Sequence, residues 1–142
     1  MNKHGFTLVE LLATIVVLGL IAGIATVAYT GIVNDSATRV FESYEDTMHA
    51  EAVYRLTNFY SDVNFVNNKA VLYLDDLQIE PINNPKDPTD KCSSSYVEVT
   101  RTRNNANKVL SMTYKVCLKC RDYESKTKNA NGSESPCRIY ND

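Results

Sequence analysis

Two histidines, His4 and His49, are all the imidazole in this 142-residue chain. That scarcity excludes a histidine-rich metal centre. No G-x-S-x-G and no phosphate-cradling glycine loop stands anywhere in the sequence either. Catalytic chemistry of the serine, phosphate-loop or histidine–metal kinds therefore has no visible carrier, and the chain reads as a non-enzyme needing no cofactor and no metal. Charge is missing as well, over one long stretch. From Leu11 to Val33, 23 residues pass without a charged side chain. At about 1.5 Å rise per residue, such a helix covers the roughly 30 Å hydrocarbon core of a bilayer. Proline is absent from the same stretch, which leaves Gly19, Gly23 and Gly31 as its weak points. Glycine costs about 1 kcal/mol in a helix interior, against about 3 for proline.

What stands at the edge of that run is Glu10. A carboxylate costs on the order of 3 kcal/mol near a bilayer centre and less close to the interface, so it needs a partner. A secretory signal peptide with Lys3 as its basic region predicts a shorter apolar run of about 7–15 residues and a good cleavage site. Ala25-Thr26-Val27-Ala28 is a poor one. A plain single-span anchor leaves Glu10 unexplained.

The stretch Gly5-Phe6-Thr7-Leu8-Val9-Glu10-Leu11-Leu12 resembles the processing motif of type IV pilins and type II secretion pseudopilins. The resemblance covers residues 5–33 and is only architectural beyond about residue 60. It implies a leader of residues 1–5, a cut after Gly5 by the prepilin peptidase, and methylation of the new terminal amine on Phe6. It also implies that Glu10 neutralises the N-terminal amine of an adjacent subunit during filament assembly. Two charges too costly to bury separately can be buried together. One departure stands out: many family members carry proline where this chain has Val27, and their helix can melt there. Here the glycines serve close helix–helix contact instead, as small residues do in membranes.

Residues 34–142 suffice for one small domain and not two. Net charge is −2, but it is split. Residues 34–90 carry 4 basic and 11 acidic side chains, a balance of −7, and residues 101–142 carry 9 and 4, a balance of +5. Such halves pair internally, or head to tail with copies of the same chain.

Phe41, Tyr44, Met48, Ala52, Leu56 and Phe59 recur at steps of three or four, which predicts an amphipathic continuation of the helix to about residue 60. Residues 61–91 read as a connection: a short strand at Ala70–Leu74, a solvated turn at Asp75-Asp76-Leu77, then Pro81, Pro85 and Pro88 forbidding regular structure. Tyr96–Arg101 alternates, Asn104–Asn107 marks a turn, and Lys108–Cys120 alternates again. This predicts a hairpin pairing Val97 with Tyr114. Residues 121–136 read as an exposed loop.

Cys92, Cys117, Cys120 and Cys137 allow a four-thiolate zinc site or two disulfides. Alternation puts Cys117 and Cys120 on opposite faces, and a domain outside the membrane sits where disulfides persist, so disulfides are favoured. The C-x-x-C redox reading lacks a βαβ context and a following helix. The hairpin register brings Cys92 near Cys117 and leaves Cys120 with Cys137. Many pilins staple their C-terminal region in this way.

The reading is an α+β, type IV pilin-like chain: a 1–5 leader, a 6–33 transmembrane and filament-core half-helix, and a 34–142 globular domain. The helix packs on a small antiparallel sheet with a disulfide-stapled C-terminal region. Its expected partners are other pilin subunits, the prepilin peptidase/methyltransferase, the inner-membrane assembly platform and the membrane itself. Its expected location is the cell membrane before assembly and the cell surface afterwards. The rival reading is an anchored surface module that binds nucleic acid or acts as an adhesin through the basic residues between Arg101 and Lys128.

Overall fold

The first element is α1, a 51-residue helix from Leu8 to Asn58. The computed structural model describes residues 7–128 and 132–141, with only the backbone described at residues 25–28, 30 and 128. The chain divides into two compact units, Met1–Thr38 and Arg39–Asp142.

In the first unit the described side chains of the helix are exposed from Leu8 to Ile24, and Ala37, near the unit's end, is buried. An added Cβ at Gly19, Gly23 or Gly31 would meet nothing within 4 Å.

In the second unit α1 buries Phe41, Glu45, Met48, Ala52 and Leu56. The steps of four, three, four and four fall on one helical stripe. Phe59, expected to end that stripe, is exposed, because the α-helix has already closed at Asn58. Glu45, a carboxylate with 2% exposure, takes a place that the apolar pattern left vacant.

After a 3₁₀ turn at Tyr60–Asp62 come β1 (Lys69–Tyr73), β2 (Asn83–Asn84), β3 (Asp87–Lys91), β4 (Tyr96–Arg103) and β5 (Val109–Cys117). They are followed by β6 (Lys119–Cys120), β7 (Tyr123–Glu124), β8 (Lys126–Lys128), β9 (Glu134–Pro136) and β10 (Arg138–Asn141). The main sheet is antiparallel in the order β1-β4-β5-β10. Its inner face buries Ala70, Leu72, Val97, Val99, Tyr114 and Val116, which form the core with the α1 stripe.

Three expectations need correction. The proline-rich connection does hold regular structure, a ribbon of β2 and β3. Pro88 fits inside β3 because a two-stranded ribbon has an open side where no N–H is required. The segment after Cys120 is not simply an exposed loop. It forms β7, which pairs with β6, and a ribbon of β8 and β9.

The hairpin register is the third. Val97 pairs with Val116, and Val99 with Tyr114. A four-residue turn at Asn104–Asn107 would have set Arg103 opposite Lys108. Arg103 instead pairs with Val109, and a bulge between Thr102 and Arg103 adds one more residue of slip. A two-residue shift returns each side chain to its own face, so the apolar alternation cannot detect it.

That shift re-pairs the cysteines: Cys92 with Cys120 and Cys117 with Cys137, not Cys92 with Cys117 and Cys120 with Cys137. Continued past Tyr96, the observed register brings Cys92 level with the Cys120 end of the partner chain. β10 supplies the other pairing. With Arg138 opposite Val116, Cys137 falls opposite Cys117, and their Cα atoms are 4.4 Å apart. Each bridge removes loop entropy from the unfolded chain, about 3 kcal/mol for loops of this size. All four thiols are used, which leaves none for the zinc alternative.

Candidate assembly and processing segment

Helix α1 begins with a reciprocal cap. The Thr7 backbone N–H donates to Glu10 Oε2 at 2.9 Å and the Thr7 hydroxyl donates to the same oxygen at 3.0 Å. The Glu10 N–H returns a bond to Thr7 Oγ1 at 3.3 Å. This is a capping box: the Glu10 carboxylate satisfies the Thr7 N–H, and the Glu10 N–H is shared between Thr7 Oγ1 and the Thr7 carbonyl oxygen at 3.1 Å. Glu10 therefore has a partner inside its own chain. The Thr-x-x-Glu spacing that carries it was there to be read in the sequence. Gly5 and Phe6 lie outside the described residues.

The helix beyond the cap presents Leu8, Val9, Leu11, Leu12, Ile15 and Val16 to its surroundings, at 52–81% exposure. A contiguous apolar surface of this kind marks a site of contact with other apolar matter. Among the described residues no helix is long and apolar enough to cross a membrane. The continuous stretch with described side chains stops at Ile24, before the uncharged run ends.

The second unit clamps its C-terminal strand onto α1. The Phe41 and Tyr123 rings stack at 3.8 Å between centroids. The Tyr123 hydroxyl donates to Glu45 Oε1 at 2.8 Å, and Arg138 reaches Glu45 Oε2 at 3.3 Å. One residue on, Tyr140 donates to Asp46 Oδ1 at 2.6 Å. His49, half-buried, stacks on Tyr140 at 4.1 Å and meets the Tyr114 ring edge-on at 5.0 Å. The buried carboxylate is tolerated because a cation and a hydroxyl both face it.

Elsewhere the two charge halves also meet. Arg121 pairs with Asp87 at 2.9 Å, and its N–H donates to Asp90 at 2.7 Å. Asp87 is held below the usual carboxylate range, chiefly by the Thr89 hydroxyl and N–H. Asp90 is lowered chiefly by the Arg121 N–H.

Burial, and then donation to a carboxylate, pushes both Tyr123 and Tyr140 above the ordinary tyrosine value of 10.0. The folded chain thus holds these protons more tightly than the unfolded chain does. Their contribution is fully present below about pH 10 and is lost as pH rises beyond it. The slope is at most about 1.4 kcal/mol per pH unit for each tyrosine, and less where solvent screens the hydroxyl. Denaturant melts at pH 9, 10 and 11 should show stability falling, with Tyr123→Phe flattening the decline. An unchanged decline in that variant would remove Tyr123 from the account.

A capped helix with an apolar surface exposed from Leu8 to Ile24, followed by a small stapled antiparallel sheet, defines an α+β chain of pilin-like architecture. Residues 1–26 match the family model of the prokaryotic N-terminal methylation motif, which supports the type IV pilin and pseudopilin resemblance. No curated protein and no solved structure matches the chain.

Proposed function

We propose that this chain is a filament subunit of the type IV pilin or pseudopilin kind. The match of residues 1–26 to the methylation motif carries the reading. In it, Met1–Gly5 is a leader removed by the prepilin peptidase, and Phe6 becomes the methylated terminus. Residues 6–33 hold the precursor in the membrane as a single span. The assembly platform then draws the chain into a filament whose core is a bundle of these half-helices. Glu10 meets the Phe6 amine of a neighbouring copy there. The exposed apolar surface from Leu8 to Ile24 fits this role, because lipid and neighbouring helices cover it in turn.

Processing tests the reading directly. N-terminal mass spectrometry of surface material should show a chain starting at Phe6 with one added methyl group. Gly5→Leu should leave the precursor uncut. A chain that keeps Met1 at the surface, or begins near residue 29, would overturn the proposal.

A further inference from the structure

Among the described residues, no carboxylate is paired with the basic side chains at the β4–β5 hairpin end of the sheet. Residues 100–109 contain Arg101, Arg103 and Lys108 and no acid. Among the described residues Arg101 is held by uncharged groups: the Tyr60 hydroxyl at 2.6 Å, Asn68 Oδ1 at 3.2 Å and the Phe65 ring at 4.1 Å. Arg103 bonds Asn107 Oδ1 at 2.6 Å, and its buried Nε has no hydrogen-bond partner among the described residues. The opposite end of the sheet is the reverse case. Residues 73–84 contain Asp75, Asp76 and Glu80 and no base. All three are exposed, and Asp76 accepts the Tyr73 N–H at 2.9 Å.

Register fixes where the two clusters lie. Tyr73 stands opposite Tyr96 at one end of β4, and Arg103 stands at the other. At 3.3–3.4 Å per residue the ends are roughly 25 Å apart, about three Debye lengths at physiological salt. They cannot neutralise each other within one chain. Exposed apolar groups flank both: Val66 and Leu110 on the basic side, at 64% exposure each, and Tyr73 on the acidic side, at 56%.

We propose that the basic hairpin end of one copy docks on the acidic 75–80 turn of a second copy, head to tail. Such a contact is heterologous, so it propagates without closing and builds an open filament. The inference rests on the filament reading and names a surface for it in the second unit, separate from α1 and Glu10. Opposite charge sets orientation and encounter, and the apolar flanks supply contact area.

The test uses the full chain in detergent, with isotopically labelled and unlabelled copies mixed and coupled by a carbodiimide. Peptides joining Lys108 of one isotope to Asp75, Asp76 or Glu80 of the other are expected. They should be lost at about 1 M salt, where the Debye length is near 3 Å. Arg103→Glu with Lys108→Glu, and Asp75→Lys with Glu80→Lys, should each cut the coupled yield about tenfold or more. Combining all four should restore it, because the complement is rebuilt with its signs exchanged. A folding defect in either pair would not be repaired by adding the other. Absence of the inter-copy peptides in wild type, or failure of the combined variant to recover, overturns the inference. So does retention of a single-stranded oligonucleotide by the same basic residues at physiological salt. The filament reading is judged separately, by the N-terminus: wild type that starts at methylated Phe6 and assembles without these peptides loses only this inference.

Discussion

Glu45→Ala is expected to lower the stability of the second unit by about 2–3 kcal/mol. Breaking a buried ion pair typically costs about 3–5 kcal/mol, because the remaining charge is stranded. Here the stranded partner is Arg138, whose side chain is 38% exposed and lies 3.7 Å from Asp46. It can turn to Asp46 and to water, which brings the expected cost below that range. Tyr123 loses its acceptor as well, at about 1 kcal/mol. For a domain of this size the melting temperature should fall by roughly 10 °C. Glu45→Gln should cost less, since an amide oxygen still accepts from Tyr123. Glu45→Ala and Arg138→Ala combined should cost less than their sum, because the two share one interaction. A loss under about 0.5 kcal/mol for Glu45→Ala would show that the clamp contributes shape and not energy.

Glu10→Gln is expected to abolish or strongly slow filament formation while leaving the fold intact. Glutamine can still accept the Thr7 N–H bond at 2.9 Å, so the start of α1 keeps its cap. Membrane insertion should be unchanged or improved, since a charge has left an apolar segment. In an assembled filament the neighbour's Phe6 amine would then enter the core unpaired, at roughly 3–5 kcal/mol per subunit. Quantified filament yield, beside a membrane-fraction control, checks this. Mixing in wild-type copies should recover part of the yield, which a folding defect would not permit. Normal yield from the variant alone would remove the carboxylate–amine pair from the mechanism.

Legibility differed between the elements for reasons that lie in the sequence patterns themselves. The helix was legible because its signal is redundant. The uncharged run and the stripe from Phe41 to Leu56 agree over some fifty residues, and α1 indeed closes at Asn58. A short strand was expected at Ala70–Leu74, one residue off β1, the Tyr96–Arg101 part of β4 was legible from alternation, and the turn at Asn104–Asn107 from its asparagines. Asn107 adopts a φ of 63°, the left-handed conformation asparagine tolerates best. β7, β8 and β9 were not legible, because strands of two or three residues carry no period to detect. β10, at four residues, is hardly longer. Glu45 was missed since a search for apolar periodicity passes over a carboxylate. Only its distant partners, Tyr123 and Arg138, make the position habitable. Of the candidate site, the motif that holds Gly5, Phe6 and Glu10 lies within the residues 1–26 that match the methylation-motif model. The Thr7 cap was readable in its Thr-x-x-Glu spacing but became plain only with the bond geometry.

Local chemistry was enough, by itself, to determine that the chain has an apolar half-helix led by a processing motif. Charge, hydropathy and motif spacing are properties of neighbours along the chain. It was enough also to determine that four cysteines outside the apolar segment favour disulfides over a metal. Which cysteine meets which was decided by the tertiary structure. One bulge beside Arg103 and the docking of β10 on β5 set the pairings Cys92–Cys120 and Cys117–Cys137. A slip of two residues leaves every side chain on its own face of a strand, so alternation is blind to it. Only the packing of sequence-distant strands selects one register and discards the other.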